Sequence, residues 1–464
     1  MRYVVSVKHA AFTALLCVVM SFVDSSWARN SQPTQPQEVV RDLAQIRSTG
    51  VLRVLINESR NSSGDVKEQA IGTEYMRVRA FVHALNQDAQ AGRSIRLQLI
   101  PKPKDQLLEA LRRGEGDLVA PGELISTHAT RGIVASIPVQ HAVPLVVIAR
   151  KGNRVYQTLD DLSARQFMLP RGSAAVSGIE ALNEKLKSRS RAPVTHQIAD
   201  SSLAAEDLLE LVNSGLYLLT AVEQPIAERW AKVLPNIRID RHMVLLSDHQ
   251  RWYVRRGANN LLARVDRFAK NYRAPADRDT NFQRIYRRMY RLHNIKDDVV
   301  VRRLKTVRPV LERVARQQNL DWTLLAAIAY KESTLNPKAR GGAGAVGLMQ
   351  VTSIAAKAAG VSNYTSLEGN VLASAKYLSL IRKKHFSSAQ ITEQDRQGFM
   401  LAAYNMGPGR VDALRAEAKR RGLDANRWFF QVERIAMEQM GLQVAHYVSA
   451  VNKYQLIYKR DFAR

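Results

Sequence analysis

At Val301 the sequence changes period. Before it, short apolar runs alternate with helical stretches; after it, helical periodicity runs to the C-terminus, broken by glycine-rich turns. Such a chain cannot close around a single sheet, and the switch predicts an α/β part followed by a mainly α-helical part. The length of 464 residues agrees, because one hydrophobic core stops growing well below that size.

The first part reads strand by strand. Val51-Leu52-Arg53-Val54-Leu55-Ile56 is a short apolar strand, Glu74 to Asn86 is helical, and Ile95 to Ile100 alternates as a half-buried strand. Lys104 to Arg113 reads as a helix ending near Gly114, followed by strands at Asp117–Ala120 and Pro144–Ala149. A second unit follows: strand Phe167–Pro170, a turn at Arg171-Gly172-Ser173-Ala174, helix Ala204–Asn213, strand Leu216–Thr220 and helix Gln224–Lys232. Ser247 to Arg256 then returns toward the first unit. The alternation predicts largely parallel sheets, and two such lobes predict a clamp with a ligand cleft between them.

The N-terminus has the layout of an export signal over residues 1–28: Arg2 and Lys8, an apolar stretch from Ala10 to about Val23, then Ser26-Trp27-Ala28. A retained anchor is the other reading, although the stretch is short for a membrane span. The single cysteine, Cys17, lies inside this segment, preceded by Leu16 where a lipidation signal wants a small residue. Cleavage therefore leaves a chain without thiol chemistry or disulfides. Residues 29–47 are polar and read as a linker.

The net charge of +27 favours anionic partners. For an exported chain these are wall polymers and lipid head groups, and a nucleic-acid partner conflicts with the export signal. A solvated basic surface with no specific partner is an equal reading. Phe268, Tyr272, Phe282, Tyr286 and Tyr290 are interleaved with the arginines at helical spacing, which suits core packing better than base stacking. With no His-x-x-x-His, Walker or GxGxxG pattern, nothing points to a metal, nucleotide or other cofactor. No nucleophile-elbow motif is present, though a Ser-His-Asp triad stays open.

The chemistry concentrates after the switch. Asp321 can cap a helix whose apolar residues include Leu324, Leu325, Ile328 and Ala329, and which delivers Glu332 near its C-terminal end. Both the helix dipole and apolar surroundings disfavour an ionised carboxylate there. A protonated Glu332 can give its proton to a glycosidic oxygen. Gly341-Gly342-Ala343-Gly344-Ala345-Val346-Gly347-Leu348-Met349-Gln350 follows, where Gly344 and Gly347 allow close backbone approach and Gln350 offers a carboxamide. Most glycosidases use two carboxylates, and none lies near Glu332 in sequence.

Three blocks carry a resemblance: Glu332-Ser333 with Asn336-Pro337, Gly344 to Gln350, and Ala402-Ala403-Tyr404-Asn405-Met406-Gly407-Pro408-Gly409. Together with His446-Tyr447-Val448 and Tyr454, residues 303–464 resemble the soluble lytic transglycosylase catalytic domain, a relative of goose-type lysozyme. Residues 48–292 resemble the periplasmic solute-binding fold of amino-acid transport proteins, through Gly50 to Val54, Gly114 to Ala120, Leu159 to Leu162 and Pro170 to Ser173. In this order the two resemble the membrane-bound lytic murein transglycosylase F family. The resemblance implies a two-lobed α/β clamp with a regulatory role, followed by a lysozyme-like lyase acting on peptidoglycan glycan strands. It implies a periplasmic location, with peripheral attachment to the outer membrane. Glu332 would be acid and then base, the product a 1,6-anhydro-muramic end, and Ser333, Gly347, Met349, Gln350, Tyr404, Asn405 and Tyr447 the glycan contacts; Ser333 reads also as a residue that orients the loop or Glu332, and core packing is the other reading of Met349, Tyr404 and Tyr447.

The sequence departs from the family in places. Gly341 stands where members often have serine, and Gln443-Val444 where Glu-Thr is usual. In the clamp, Thr127 and Arg131 are one residue too far apart for the Thr-x-x-Arg pattern that grips an amino-acid carboxylate. Arg131, Arg171 and Glu223 are the candidates for a small muropeptide or amino-acid ligand. The competing reading is a clamp that senses a ligand joined to a domain that holds glycan without cutting it.

Overall fold

The computed structural model describes residues 40–67, 69–87, 94–125, 131–289 and 294–462. The export segment with Cys17, the linker up to residue 39, Thr127 and Tyr290 lie outside these residues.

The first lobe opens with α1 (Leu43–Thr49), inside the stretch read as linker. Asp42 caps it, accepting Leu43 N–H at 2.7 Å, and the same carboxylate accepts Asn260 and Leu261 N–H at the start of a distant helix. Leu43 and Ile46 are buried, so the linker ends earlier than its composition suggests. Next come β1 (Val51–Asn57), α2 (Arg60–Ser63), the small pair β2 (Asp65–Val66) and β3 (Gln69–Ala70), α3 (Thr73–Gln87), β4 (Arg96–Lys102), α4 (Leu107–Arg112), β5 (Leu118–Ala120) and β6 (Ile133–Ala135). β1 lies parallel between β4 and β5. Its Leu52, Val54, Leu55 and Ile56 are all buried, as expected for a strand covered on both faces.

The second lobe holds β7 (Gln140–Arg150), β8 (Gln166–Leu169), α5 (Ala175–Ser188), β9 (Thr195–Ile198), α6 (Ala205–Asn213), β10 (Leu219–Glu223), α7 (Gln224–Ala231) and β11 (Ile237–Gln250). The sheets are less parallel than expected. β10 and β11 both run antiparallel to β7, and only β8 and β9 form a parallel pair here. In the first lobe, the returning strand β12 (Tyr253–Arg255) is antiparallel to β5 and β6. An apolar run such as Val143–Ala149 records burial on both faces, not the direction of its neighbours. β10 also starts three residues late relative to the expected Leu216, after a turn at Gly215 with φ +80°. α8 (Asn259–Asn271) and α9 (Thr280–Met289) complete this part. As the spacing predicts, their aromatics pack: Phe268 against Phe81 and Trp252, and Phe282 and Tyr286 edge-on to Trp230.

The remaining chain is helical: α10 (Asp298–Gln318), α11 (Trp322–Ser333), α12 (Ser353–Ala358), α13 (Leu367–His385), α14 (Glu393–Met406), α15 (Pro408–Arg420), α16 (Glu433–Met440) and α17 (Leu442–Phe462). α11 is buried on all sides from Thr323 to Tyr330, with α17 packed along it. One hydrophobic core runs from the second lobe (Val146, Leu208, Trp230) into these helices (Leu325, Phe399, Tyr458) without a break.

Charge is also buried at this junction. Arg60 of the first lobe forks onto Glu433 of α16 at 2.9 and 3.1 Å and reaches Asp207 of α6 at 2.8 Å. Lys453 of α17 meets Asp207 at 2.8 Å and also bonds Glu210. Glu206 accepts Arg60 N–H at 2.7 Å. Two cations thus face four carboxylates, all nearly without exposure, inside a strongly basic chain.

Candidate active site

Asp321 caps α11 as the sequence predicts, its side chain accepting Thr323 N–H at 2.8 Å. The capped apolar helix is held rigidly by its burial, and Glu332 emerges one residue before its end. Tyr447 of α17 donates its hydroxyl to Glu332 Oε1 at 2.6 Å. Burial pushes the Glu332 carboxyl above the usual range; the Tyr447 bond and the neighbouring Lys331 ammonium pull partly back. The same burial, with the Glu332 charge second, holds the Tyr447 phenol well above its ordinary range, so it stays a donor. Among the described residues, no second carboxylate is among the groups acting on Glu332.

The glycine-rich segment folds back beside this acid. Val346 bridges to both Arg340 and Val351, making a small antiparallel loop. Gly347 sits at φ +79°, and a Cβ there would lie 2.6 Å from the Asn370 carboxamide. Asn370, buried at the start of α13, binds the loop twice and the approach to its own helix once: Oδ1 accepts Met349 N–H at 2.8 Å, while Nδ2 donates to Val346 O at 2.9 Å and Tyr364 O at 2.8 Å. Gln350, at φ +48°, donates from Nε2 to Gly347 O at 2.9 Å. Its Oε1 lies where a side chain at position 341 would begin, 2.0 Å from an ideal Cβ on Gly341. The glycine at that family-variable position thus makes room for the Gln350 carboxamide.

The expected glycan contacts divide accordingly. Glu332, Gln350 and Tyr404 are half-buried and Asn405 is exposed, next to Tyr404 at the end of α14. The Tyr404 hydroxyl donates to Met349 O at 2.8 Å and accepts from Ser374 at 3.1 Å, while its half-buried ring packs against the core near Tyr377. Met349 is a correction: its side chain has no exposure and packs in the core. An apolar residue in a motif carries no sign of which way it points. Ser333 is a second. Its hydroxyl lies 2.8 Å from Leu348 O and 3.0 Å from Ala329 O and accepts Asn336 N–H, so it fastens loop to helix. Tyr447 is buried, and its contact is with the acid. Sequence reasoning missed Asn370 and Ser374; an asparagine inside a helix, disfavoured by propensity, was the available signal.

The clamp candidates also separate. A cavity of about 340 Å³ lies where the lobes meet the helical part, lined by Asn57, Lys104, Glu123 and Arg171 from the lobes and by Gln394 and Arg427 from the helices. Arg171 bonds Asp105 across the lobes at 2.9 Å. Glu223 is buried behind the cavity wall, accepting Leu124 N–H at 2.8 Å from the opposite lobe, and burial pushes its carboxyl up. Lys104, paired with Glu123 at 2.5 Å, is the buried cation beside it. Arg131 is exposed and does not line the cavity. The two arginines that do line the cavity, Arg171 and Arg427, are paired with Asp105 and Glu58, and Arg131 stands outside it because the sequence gives the type of residue 131 but not its orientation.

Comparison with known proteins bears on both parts. Residues 310–427 match the family model described as the transglycosylase SLT domain. The chain is 28% identical over 397 residues to membrane-bound lytic murein transglycosylase F of Desulfosudis oleivorans, covering 84% of this chain and 83% of that protein. It is 27% identical over 435 residues to the protein of the same name from Pseudomonas putida, covering 89% and 85%. Among solved structures it is similar to an ancestral arginine-binding protein bound to arginine, 17% identical with a TM-score of 0.39, covering 51% of this chain and 97% of that one. An ancestral amino acid-binding protein that is a precursor of cyclohexadienyl dehydratase gives 16% identity and a TM-score of 0.41, covering 52% and 98%.

Proposed function

We infer that this chain, a peptidoglycan lyase of the lytic murein transglycosylase kind, cleaves the β-1,4 bond between N-acetylmuramic acid and N-acetylglucosamine without water. The observation that carries this is a half-buried Glu332 held toward its acid form, with a tyrosine donor on one oxygen and no carboxylate partner among the described residues. Glu332 gives its proton to the leaving O4 of N-acetylglucosamine as the C1–O4 bond breaks. The cation at C1 is relieved by the substrate's own acetamido oxygen, a role that a second protein carboxylate fills in most glycosidases. Ionised Glu332 then takes the proton of the muramic 6-hydroxyl, whose oxygen bonds C1 to close the 1,6-anhydro ring. Gln350, Asn405 and the Tyr404 ring position the glycan.

The test is mass spectrometry of products released from purified sacculi, with Glu332→Gln beside the unaltered protein. Anhydro-muramyl ends from the unaltered protein alone are expected; reducing ends would mean hydrolysis and a missed water-activating base. Release by Glu332→Gln at the unaltered rate would remove Glu332 from the role.

The clamp is a regulatory domain for a small wall-derived peptide or amino acid in the 340 Å³ cavity. One helix supports the coupling: α17 presents Tyr447 to Glu332 and, two turns on, Lys453 to the α6 carboxylates. Product release with and without added muropeptide tests this; an unchanged rate over a saturating range would end it. The working place is the periplasm, at the membrane periphery; no described helix is long and apolar enough to cross a membrane.

A further inference from the structure

The end of the second lobe away from the cleft collects charge that the chemistry above does not use. Strand register places its loops together. β7 ends at Arg150 opposite Ile237, β10 begins at Leu219 opposite Ala149, and β8 begins at Gln166 opposite Thr195. The loops 151–165, 189–194 and 215–218 therefore share one pole. Exposed Lys151, Arg154, Arg165, Arg189 and Arg191 sit there against two acids, Asp160 and Asp161. Asp160 already pairs with Arg189 and, at 3.7 Å, with Arg191. Arg154 stacks on the Tyr156 ring at 5.6 Å, and neither it nor Arg165 makes an ion pair among the described residues.

The same pole carries protruding aliphatic side chains. Leu218 is 70% exposed and Val155 52% exposed. A groove of about 720 Å³ opens at this pole, lined by Arg154, Arg165, Tyr217 and Leu218 from the lobe and by Lys296 and Arg460 from the helical part. Lys296 and Arg460 share Asp461, leaving the groove net positive. Cations draw an anionic surface, and apolar side chains standing beyond them gain by entering the head-group layer. A soluble polyanion has no use for the aliphatic pair, so the combination favours a bilayer.

We propose that this pole of the second lobe docks on anionic phospholipid head groups, with Arg154 and Arg165 meeting phosphates and Leu218 and Val155 entering the interface. The docking rests on the export reading and is independent of the cleavage chemistry. It would turn the cleft away from the bilayer by anchoring the opposite end of the lobe.

Sedimentation of the full-length protein with vesicles tests it, comparing phosphatidylglycerol–phosphatidylcholine mixtures with phosphatidylcholine alone. An apolar N-terminal segment would bind both, so the difference between the two is the readout. Arg154→Gln with Arg165→Gln should weaken anionic-vesicle binding roughly 25-fold, at about fivefold per charge near the surface. Leu218→Ser should lower the binding that survives at high salt, where charge is screened. Lys383→Gln with Lys384→Gln, removing two exposed charges from the end of α13, should leave binding within about twofold. Equal loss in the α13 control would show a general charge effect and overturn the proposal. Unchanged vesicle binding in the pole variants would overturn it too, as would their loss of sacculus binding in its place. Release of anhydro products from soluble glycan strands should be unaltered in the pole variants, which separates failure of docking from failure of the cleavage reading.

Discussion

Replacing Tyr447 by phenylalanine isolates the one hydrogen bond that opposes burial at Glu332. The bond is 2.6 Å long and the tyrosine is 6% exposed, so water cannot readily take its place. A hydrogen bond to a charged group contributes about 1.5–3 kcal/mol, against about 1 kcal/mol for a neutral one. The ionised form therefore loses roughly 1–2 kcal/mol more than the acid form when the hydroxyl goes. With 1.4 kcal/mol to a factor of ten, the protonated fraction on the alkaline side rises roughly five- to thirtyfold at fixed pH. The sign follows from the raised Glu332 carboxyl: the competent acid is lost as pH rises, and removing the donor delays that loss. The assay is kcat/KM for anhydro-product release from isolated glycan strands across pH 5 to 9 (about that window), since this parameter reports the free enzyme. The alkaline limb should move to higher pH, whatever the height of the plateau. An unmoved limb, or one moved to lower pH, would refute the assignment of that limb to Glu332 or the action of Tyr447 on it.

Three further outcomes follow from the packing. Lys453→Met leaves Asp207 and Glu210 buried without their ammonium and should cost about 3–5 kcal/mol in urea unfolding followed by tryptophan fluorescence; a loss below about 1 kcal/mol would mean the junction is wet. Burial first, and the Asp207 charge second, raise the Glu206 carboxyl from 4.5 to about 7. The folded state then holds a proton that the unfolded chain has released, so stability should fall as pH rises between those values. Glu206→Gln should flatten that slope, and an unchanged slope would assign it to other groups. Gly347→Ala places a Cβ 2.6 Å from the Asn370 carboxamide at φ +79°. The strain costs about 1–2 kcal/mol, but displacing Asn370 frees the loop, so kcat/KM should drop more than tenfold while the fold persists by circular dichroism. Near-normal kcat/KM would show that Asn370 does not position the loop.

The parts of the molecule that were legible in sequence are those decided by neighbours along the chain. The Asp321 cap, the apolar run behind it and the glycines after it are local signals, and they place Glu332 and its loop correctly. The strand Val51–Ile56 was legible for the same reason. Sheet direction was not, because a run buried on both faces reads alike whichever way its neighbours point. Side-chain orientation was not either: Met349 and Ser333 belong to the motif yet face the protein. The junction was the least legible. Arg60 meets Glu433 across 373 positions and Lys453 meets Asp207 across 246, and in a basic chain each of them reads as one more surface charge.

The unbroken core between the second lobe and the helices changes what counts as a part of this protein. By sequence the chain divides near residue 300, and a chimera made there would look like an exchange of self-contained pieces. The cut would strip the α17 face of its α6 partners, stranding Lys453 and Asn452 in front of solvent and exposing the apolar surface shared by Trp230 and Tyr286 with the helical bundle. Transplanting the lyase alone would therefore demand a redesigned α17, whose outward face is already written for a particular neighbour. The buried bonds that Ser449, Asn452 and Lys453 make to Ser202 and Asp207 mean that a change on either side of the junction needs a matching change on the other.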